Sequence, residues 1–381
     1  MKKILKFIFR GLVLTLLILG ITIAMNFTFV ERGLTYPFEN QITNSEWYTP
    51  KGQVKGNNTT NYNLTDSLSL DKTVLEDISN YAKTRESTAL LVLHKGKLQL
   101  EQYWGGTTKE STSNSMSLVK TIISVLIGIA IEEGDIKSEK ESASTYVTEW
   151  ANDERNTITI EDLLLMQSGL RNDDNTQDIF SDVVTLFLGT EVEDTALKIP
   201  LEKKPATVFD YNNVNTQILG IILERATGES LETYTASKLW QPIGAADAGW
   251  WLDKKDGMPK AFCCYFAQAE DWMLMGQLFL QNGLWNEQQI IPKEWLDKML
   301  TQSSLEKDFG YHIWLHYEDG GYRQKDRNEP FLSKIYSIDG ANRQHVFIVP
   351  NYDLVIVRIG ENPKDWDESY MVNKVITSLM E

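Results

Sequence analysis

The chain's most heavily apolar run away from its N-terminus lies between Val119 and Ile131, where hydrophobic residues fall on nearly every helical face and Thr121, Ser124 and Gly128 are the small interruptions. A helix that is apolar all round belongs in a protein interior. Glu132, Glu133 and Gly134 end the run, the glycine being suited to a left-handed helix end. Other segments carry one-sided patterns. Leu75, Ile78 and Tyr81 are spaced for one face of a helix over 74–84. Ala89–Leu93 and Leu98–Trp104 flank a tight His94-Lys95-Gly96-Lys97 turn and predict a hairpin. Helices are expected over Ile160–Gln167, Thr216–Ala226, about 269–281, Pro292–Thr301 and 366–380, and a late hairpin over Gln344–Pro350 and Asp353–Ile359 with Asn351-Tyr352 at its turn. Strands near both ends with helices between them predict an α/β (α+β) fold: one sheet built from both termini, with an all-helical insertion over about 135–250.

The N-terminus has a different pattern. Lys2, Lys3, Lys6 and Arg10 precede an uncharged run over residues 11–30. Twenty helical residues span ~30 Å, about one hydrocarbon core. The run is longer than a signal-peptide core, and no small-x-small cleavage site follows it. The expectation is an uncleaved single-pass anchor in a bacterial inner membrane, with the cationic side in the cytoplasm and the remainder of the chain periplasmic. Residues 31–73, rich in Asn, Thr, Ser and Gly with scattered aromatics, read as a spacer or a segment draped over a domain at 74–381.

Composition then narrows the function. Hydrophobic residues make up 42% of 381 positions, enough for a sizeable core, and the net charge of −16 argues against a nucleic-acid partner. The two cysteines, Cys263 and Cys264, are adjacent in an apolar stretch. Neighbours do not close an ordinary disulfide without strain, so small buried core residues are expected there. With no further cysteine and no ligand spacing among the four histidines, no metal site is predicted and no cofactor is called for.

Candidate chemistry centres on Ser117 and Lys120, three apart on one helical face at the head of the buried run. A hydroxyl there meets unpaired backbone N–H groups, and burial drives a neighbouring lysine toward its neutral, proton-accepting form. The same spacing recurs at Ser69–Lys72 and Ser304–Lys307, but in polar surroundings with no buried helix behind it. The competing account makes Ser117 an N-cap and Lys120 a snorkelling surface residue. A second candidate is Tyr211 with Asn213, the chain's one Tyr-x-Asn. A phenol beside a lysine can relay protons for a serine, and the asparagine amide can point into the same site. A third is Ile338-Asp339-Gly340-Ala341, where a glycine lets a strand backbone approach a substrate and the next N–H can donate to an oxyanion. Taken singly, the second and third are turns. Ser168, in a Gln-Ser-Gly run without a following apolar helix, reads as a loop serine.

The order Ser-x-x-Lys, Tyr-x-Asn and a glycine-ended triplet on a late strand resembles the serine β-lactamase and penicillin-binding-protein superfamily, closest to class C β-lactamase-related hydrolases such as 6-aminohexanoate-dimer hydrolases. Supporting text runs from about 75 to 380 and includes Ile160–Leu170, Ala261–Cys264, Asp271–Gly276 and Phe347–Pro350. The resemblance implies an antiparallel sheet flanked by helices. It also implies Ser117 as acylated nucleophile, Lys120 as its proton partner, Tyr211 as proton relay to the leaving group, and Asn213 as ligand of the substrate amide or of Lys120. Gly340 becomes the third-motif glycine, with the N–H groups of Ser117 and Ala341 as the oxyanion hole. β-Lactamases of this group usually carry Lys or His where this chain has Ile338, and a small or hydroxyl residue at Asp339. An acid is therefore expected beside the site, with Arg343, on the same strand face as Ala341, available to compensate. Ala206 replaces a glycine common before the Tyr-x-Asn turn. The expected reaction is cleavage of a small-molecule amide or ester through a Ser117 acyl-enzyme. D-Alanyl-D-alanine carboxypeptidase or β-lactamase action, or a catalytically weak binding protein, are the alternatives, and oligomeric state is unassigned.

Overall fold

The computed structural model describes residues 2–316 and 327–381, without the side chains of residues 2–5, 16–19 and 21–24. Six antiparallel strands form the main sheet: β1 (Ser87–His94), β2 (Lys97–Tyr103), β3 (Trp314–His316), β4 (Ile335–Gly340), β5 (Gln344–Val349) and β6 (Leu354–Gly360), in the spatial order β2-β1-β6-β5-β4-β3. The β1–β2 turn is tight because Lys95 (φ 51°) and Gly96 (φ 69°) both take the left-handed region, the twist that suits a two-residue hairpin. Both ends of the chain thus meet in one sheet, through β1 pairing with β6.

The central strands are buried on both faces, which is why they read as continuous apolar runs. Leu90, Val92, Phe347, Val349 and Ile356 pack toward α1 (Lys72–Lys83) and the C-terminal helix Tyr370–Met380. Leu91, Leu93, Val346, Ile348, Val355 and Val357 face the larger core around α2 (Val119–Glu133), α3 (Asn213–Thr227) and α4 (Ala269–Leu280). Helix α2 is buried over Val119–Ala130 and ends at Gly134, whose φ of 88° closes it. It packs against α3, while α4 lies across β5 and β6.

Three expectations change. The 135–250 insertion is helical with short 3₁₀ turns, but its last residues, Ala248–Trp251, form a strand. That strand belongs to a second sheet ordered Lys51–Val54, Ala248–Trp251, Tyr265–Ala267, Ser113–Asn114. Residues 31–73 therefore are no free spacer: they supply a strand and bury Ile42, Tyr48 and Val54 in the larger core. Cys263 and Cys264 are buried but joined in a disulfide, with Cys264 turned to φ 66°. The ordinary separation rule fails for neighbours because a left-handed residue brings both sulfurs to one side of the chain. At the N-terminus, helices cover Lys2–Met25 and Phe27–Thr35. Among the described residues no helix is long and apolar enough to cross a membrane, and much of the expected 11–30 span has side chains outside them.

The N-terminal strap is fastened at Arg32. Its guanidinium donates to the carbonyls of Leu188 (3.0 Å), Gly189 (3.0 Å) and Asp253 (2.9 Å) and lies 4.8 Å from the Trp251 ring centre, with Lys260 also 4.8 Å from that ring. Arg32→Ala removes the donor from the Leu188 and Asp253 carbonyls, Gly189 O keeping Lys260 Nζ (2.9 Å), and is expected to destabilise the fold by about 1–3 kcal/mol, read as a lower unfolding midpoint in denaturant.

Candidate active site

The strand Ser113–Asn114 delivers the chain to the head of α2 through an unusual turn. Asn114 Oδ1 accepts the N–H of Met116 (3.0 Å), and Met116 takes φ 46°, a conformation that a residue with a side chain adopts at a cost. Ser115 locks the turn from the other side: its N–H donates to Tyr265 O (2.8 Å) and its Oγ accepts the N–H of Tyr265 (3.2 Å). Ser117 consequently sits in a 3₁₀ turn, Met116–Leu118, just ahead of α2 rather than in its first α-helical turn. It is half-buried, while its neighbours on both sides are fully buried.

Lys120 turns inward from the first turn of α2. Its Nζ lies 3.2 Å from Ser117 Oγ, 2.9 Å from Asn213 Oδ1 and 2.5 Å from the Phe262 carbonyl oxygen. Burial lowers its pKa to about 7, because the charged ammonium loses its water. The snorkelling account therefore fails, since Lys120 is buried at 2% exposure with its amine turned to protein acceptors. His312 backs the same turn, Nδ1 3.3 Å from the Lys120 carbonyl, and burial lowers its pKa to about 3, so it stays neutral.

Tyr211 and Asn213 arrive at the start of α3. Asn212, between them, caps that helix by accepting the N–H of Val214 (2.9 Å) and donates to Arg171 O (2.9 Å). The loop before it is held by Asp210, which receives Asn172 Nδ2 (2.6 Å) and Lys203 Nζ (2.9 Å). Ala206 stands at φ 58°, which explains why glycine suits that position. The Tyr211 ring centre is 5.5 Å from Lys120 Nζ, which brings that ring, the amine and the Ser117 hydroxyl together. Behind Tyr211 stands an aromatic wall, with Trp314 stacked at 5.9 Å, Phe309 at 6.2 Å, and Phe209 against Phe309 at 5.2 Å. Ser168 donates to Asn215 Oδ1 (2.6 Å) in the interior, a structural serine.

Strand β4 forms the remaining wall. A Cβ built on Gly340 would lie 2.6 Å from Ser115 O and 2.7 Å from Leu118 Cδ1, so the bare backbone is what allows β4 to touch the nucleophile turn. Ile338, on the same face, is buried in the larger core. Asp339 points the other way, a correction to its expected place beside the substrate. Strand alternation turns it to the opposite face, where Oδ1 sits 2.8 Å from His345 Nδ1, and Glu368 Oε1 lies 3.6 Å from His345 Nε2. Asp339, His345 and Glu368 are the one group among the described residues close enough to hold a metal ion, but the imidazole already occupies the space between the carboxylates. Ala341–Arg343 is not strand but a turn joining β4 to β5, with Asn342 (φ 64°) and Arg343 (φ 59°) both left-handed. The same-face argument for Arg343 therefore fails. Ala341 is exposed and Arg343 half-buried, its carbonyl receiving Arg358 (3.2 Å). Phe309, Trp314 and Met116 complete the site with Phe262 and were singled out by no motif in the sequence; they are ordinary apolar residues whose importance comes from where the fold takes them.

Residues 76–364 match the Beta-lactamase family. The chain is 25% identical over 309 residues to the 6-aminohexanoate-dimer hydrolase of Paenarthrobacter ureafaciens, covering 76% of each chain. A Bacillus anthracis protein, provisionally assigned as a 6-aminohexanoate-dimer hydrolase, superposes with a TM-score of 0.72 at 21% identity, covering 89% of this chain and 91% of that one. A class C beta lactamase from Rhodobacter sphaeroides superposes with a TM-score of 0.58 at 15% identity, over 81% and 99% of the two chains. Match, fold and the meeting of serine, lysine and tyrosine agree: the chain belongs to the beta-lactamase family of serine hydrolases.

Proposed function

We propose that this protein hydrolyses an amide or ester bond through an acyl-enzyme on Ser117. The observation that carries the reading is a desolvated amine 3.2 Å from a cleft-facing hydroxyl. Lys120 in its neutral form takes the Ser117 proton as Oγ attacks the carbonyl. The N–H groups of Ser117 and Ala341 are the donors offered to the developing oxyanion; one such donor is typically worth ~10²–10³ in rate. Tyr211 passes a proton to the leaving amine or alkoxide, and water then releases the acyl group. Asn213 engages Lys120 through Oδ1, which leaves its Nδ2 to donate to a substrate carbonyl.

The substrate is neutral or amine-bearing rather than carboxylate-anchored. Ile338 puts a buried aliphatic side chain where a cation would hold a β-lactam carboxylate, and the wall of Tyr211, Phe309 and Trp314 favours an apolar or aromatic acyl or leaving group. Attachment through residues 11–30 to a bacterial inner membrane, with the domain outside the cytoplasm, is part of the same proposal, supported by the uncharged run behind Lys2, Lys3, Lys6 and Arg10.

Ser117→Ala is expected to abolish labelling by a fluorophosphonate probe and turnover of p-nitrophenyl esters and short linear amides, with β-lactams turned over far more slowly by the native enzyme; undiminished labelling overturns the assignment. The pH dependence has a fixed sign. Below about 7 Lys120 holds its proton and cannot accept another, so kcat/KM should rise with pH through about 7, and Lys120→Met should remove both the rise and the activity. In cell fractionation the full chain should stay with alkali-washed membranes, and a chain starting at residue 31 should be released from them.

A further inference from the structure

One end of Phe262-Cys263-Cys264-Tyr265 touches the catalytic lysine, and the other holds the turn that leads to Ser117. Phe262 O accepts from Lys120 Nζ at 2.5 Å. Tyr265 exchanges two hydrogen bonds with Ser115, two residues before the nucleophile, through its carbonyl (2.8 Å) and its N–H (3.2 Å). Between these contacts the two cysteines close a disulfide ring. The ring itself is pinned: Cys263 N–H donates to Lys260 O (3.1 Å), and Cys264 O accepts from Trp251 N–H (2.9 Å). Cys264 takes φ 66°, a conformation that disfavours any residue with a Cβ. The chemistry proposed above uses neither sulfur.

We propose that the Cys263–Cys264 disulfide is a redox-sensitive positioning element for Lys120: closed, it holds the Phe262 carbonyl against the amine, and opened by an external dithiol it lets that carbonyl withdraw. The inference rests on Lys120 acting as the proton acceptor. Opening is a two-electron thiol–disulfide exchange. A donor thiolate attacks the sulfur of Cys263, the less buried residue of the pair, and the S–S bond breaks to leave the Cys264 thiolate. The donor's second thiolate then resolves the mixed disulfide and frees Cys263. The donor leaves as a cyclic disulfide, and its two protons end on the cysteines. Without the ring, Cys264 relaxes from its left-handed conformation and the peptides on either side rotate. An ammonium that loses a carbonyl acceptor is less stable, so the lysine should release its proton at lower pH while its placement against Ser117 worsens.

The test uses the full chain purified under air and a water-soluble phosphine as reductant, since thiols would cleave ester substrates directly. Mass spectrometry after alkylation counts the thiols, and kcat/KM for a p-nitrophenyl ester is followed across the titration of Lys120. Reduced enzyme should show two alkylated cysteines, a fall in kcat/KM of roughly tenfold to a hundredfold and an acid limb moved to lower pH by roughly half a unit or more. Reoxidation should restore both. Cys263→Ser/Cys264→Ser should resemble the reduced enzyme and ignore the phosphine; if it does not fold, the reversible wild-type comparison decides alone. Loss of folded protein would lower the rate without moving the acid limb. Reduction with an unchanged pH profile, two free thiols in the air-purified chain that resist oxidation, or a disulfide that no phosphine opens in the folded protein each overturns the proposal. Failure of the catalytic reading is separate, since it shows as activity surviving in Ser117→Ala.

Discussion

The structure depends on holding one amine out of water. Lys120 is buried at the head of α2, and three acceptors surround its Nζ: a hydroxyl at residue 117, an amide oxygen from α3 and a carbonyl from the segment before α4. A lysine placed so would be ruinous as a permanent cation, because its desolvation has no carboxylate to offset it. Its pKa falls to about 7 instead, and the same burial that makes the site hard to fold makes the amine a base at neutral pH.

Three remote pieces of chain are needed for that environment, and the fold brings them together by different means. Helix α2 is fixed by being apolar all round, so it cannot move without exposing core. Helix α3 packs along it and delivers Asn213 and Tyr211 at its start, under the control of the Asn212 cap. Strand β4 closes the third side because Gly340 has no side chain to keep it from Ser115. Local backbone cost collects at the same place, with Met116, Cys264, His312 and Asn342 in left-handed conformations around the cleft. The aromatic wall makes the Tyr211 side of the site apolar, and the acid of the third motif is turned away to pair with His345.

The segment read as a spacer or a strap draped over the domain has a structural task. Arg32, Ile42, Tyr48 and the strand Lys51–Val54 are built into the second sheet and its surroundings, and that sheet also holds Ser113–Asn114, the lead-in to the nucleophile. Asn-, Thr- and Ser-rich composition suggested looseness, but composition averages over the few apolar residues that do the packing.

By itself, the order of residues determined the buried helix, the two hairpins, most helices and the candidate pair of Ser117 and Lys120, while Tyr211 joined them only through the family resemblance. These signals are local: a period of 3.6 or 2, a capping glycine, a spacing of three along one helix face. What it could not determine was which way a side chain leaves a strand whose register is set elsewhere. Asp339 and Arg343 look equivalent to Gly340 as text, yet strand alternation sends one behind the sheet and a left-handed turn interrupts the path to the other. The disulfide of adjacent cysteines, the second sheet and the wall of Phe309 and Trp314 were equally hidden. The second sheet and the placing of that wall against Tyr211 join residues about a hundred or more positions apart, and the disulfide depends on a backbone conformation at Cys264 that no periodicity encodes.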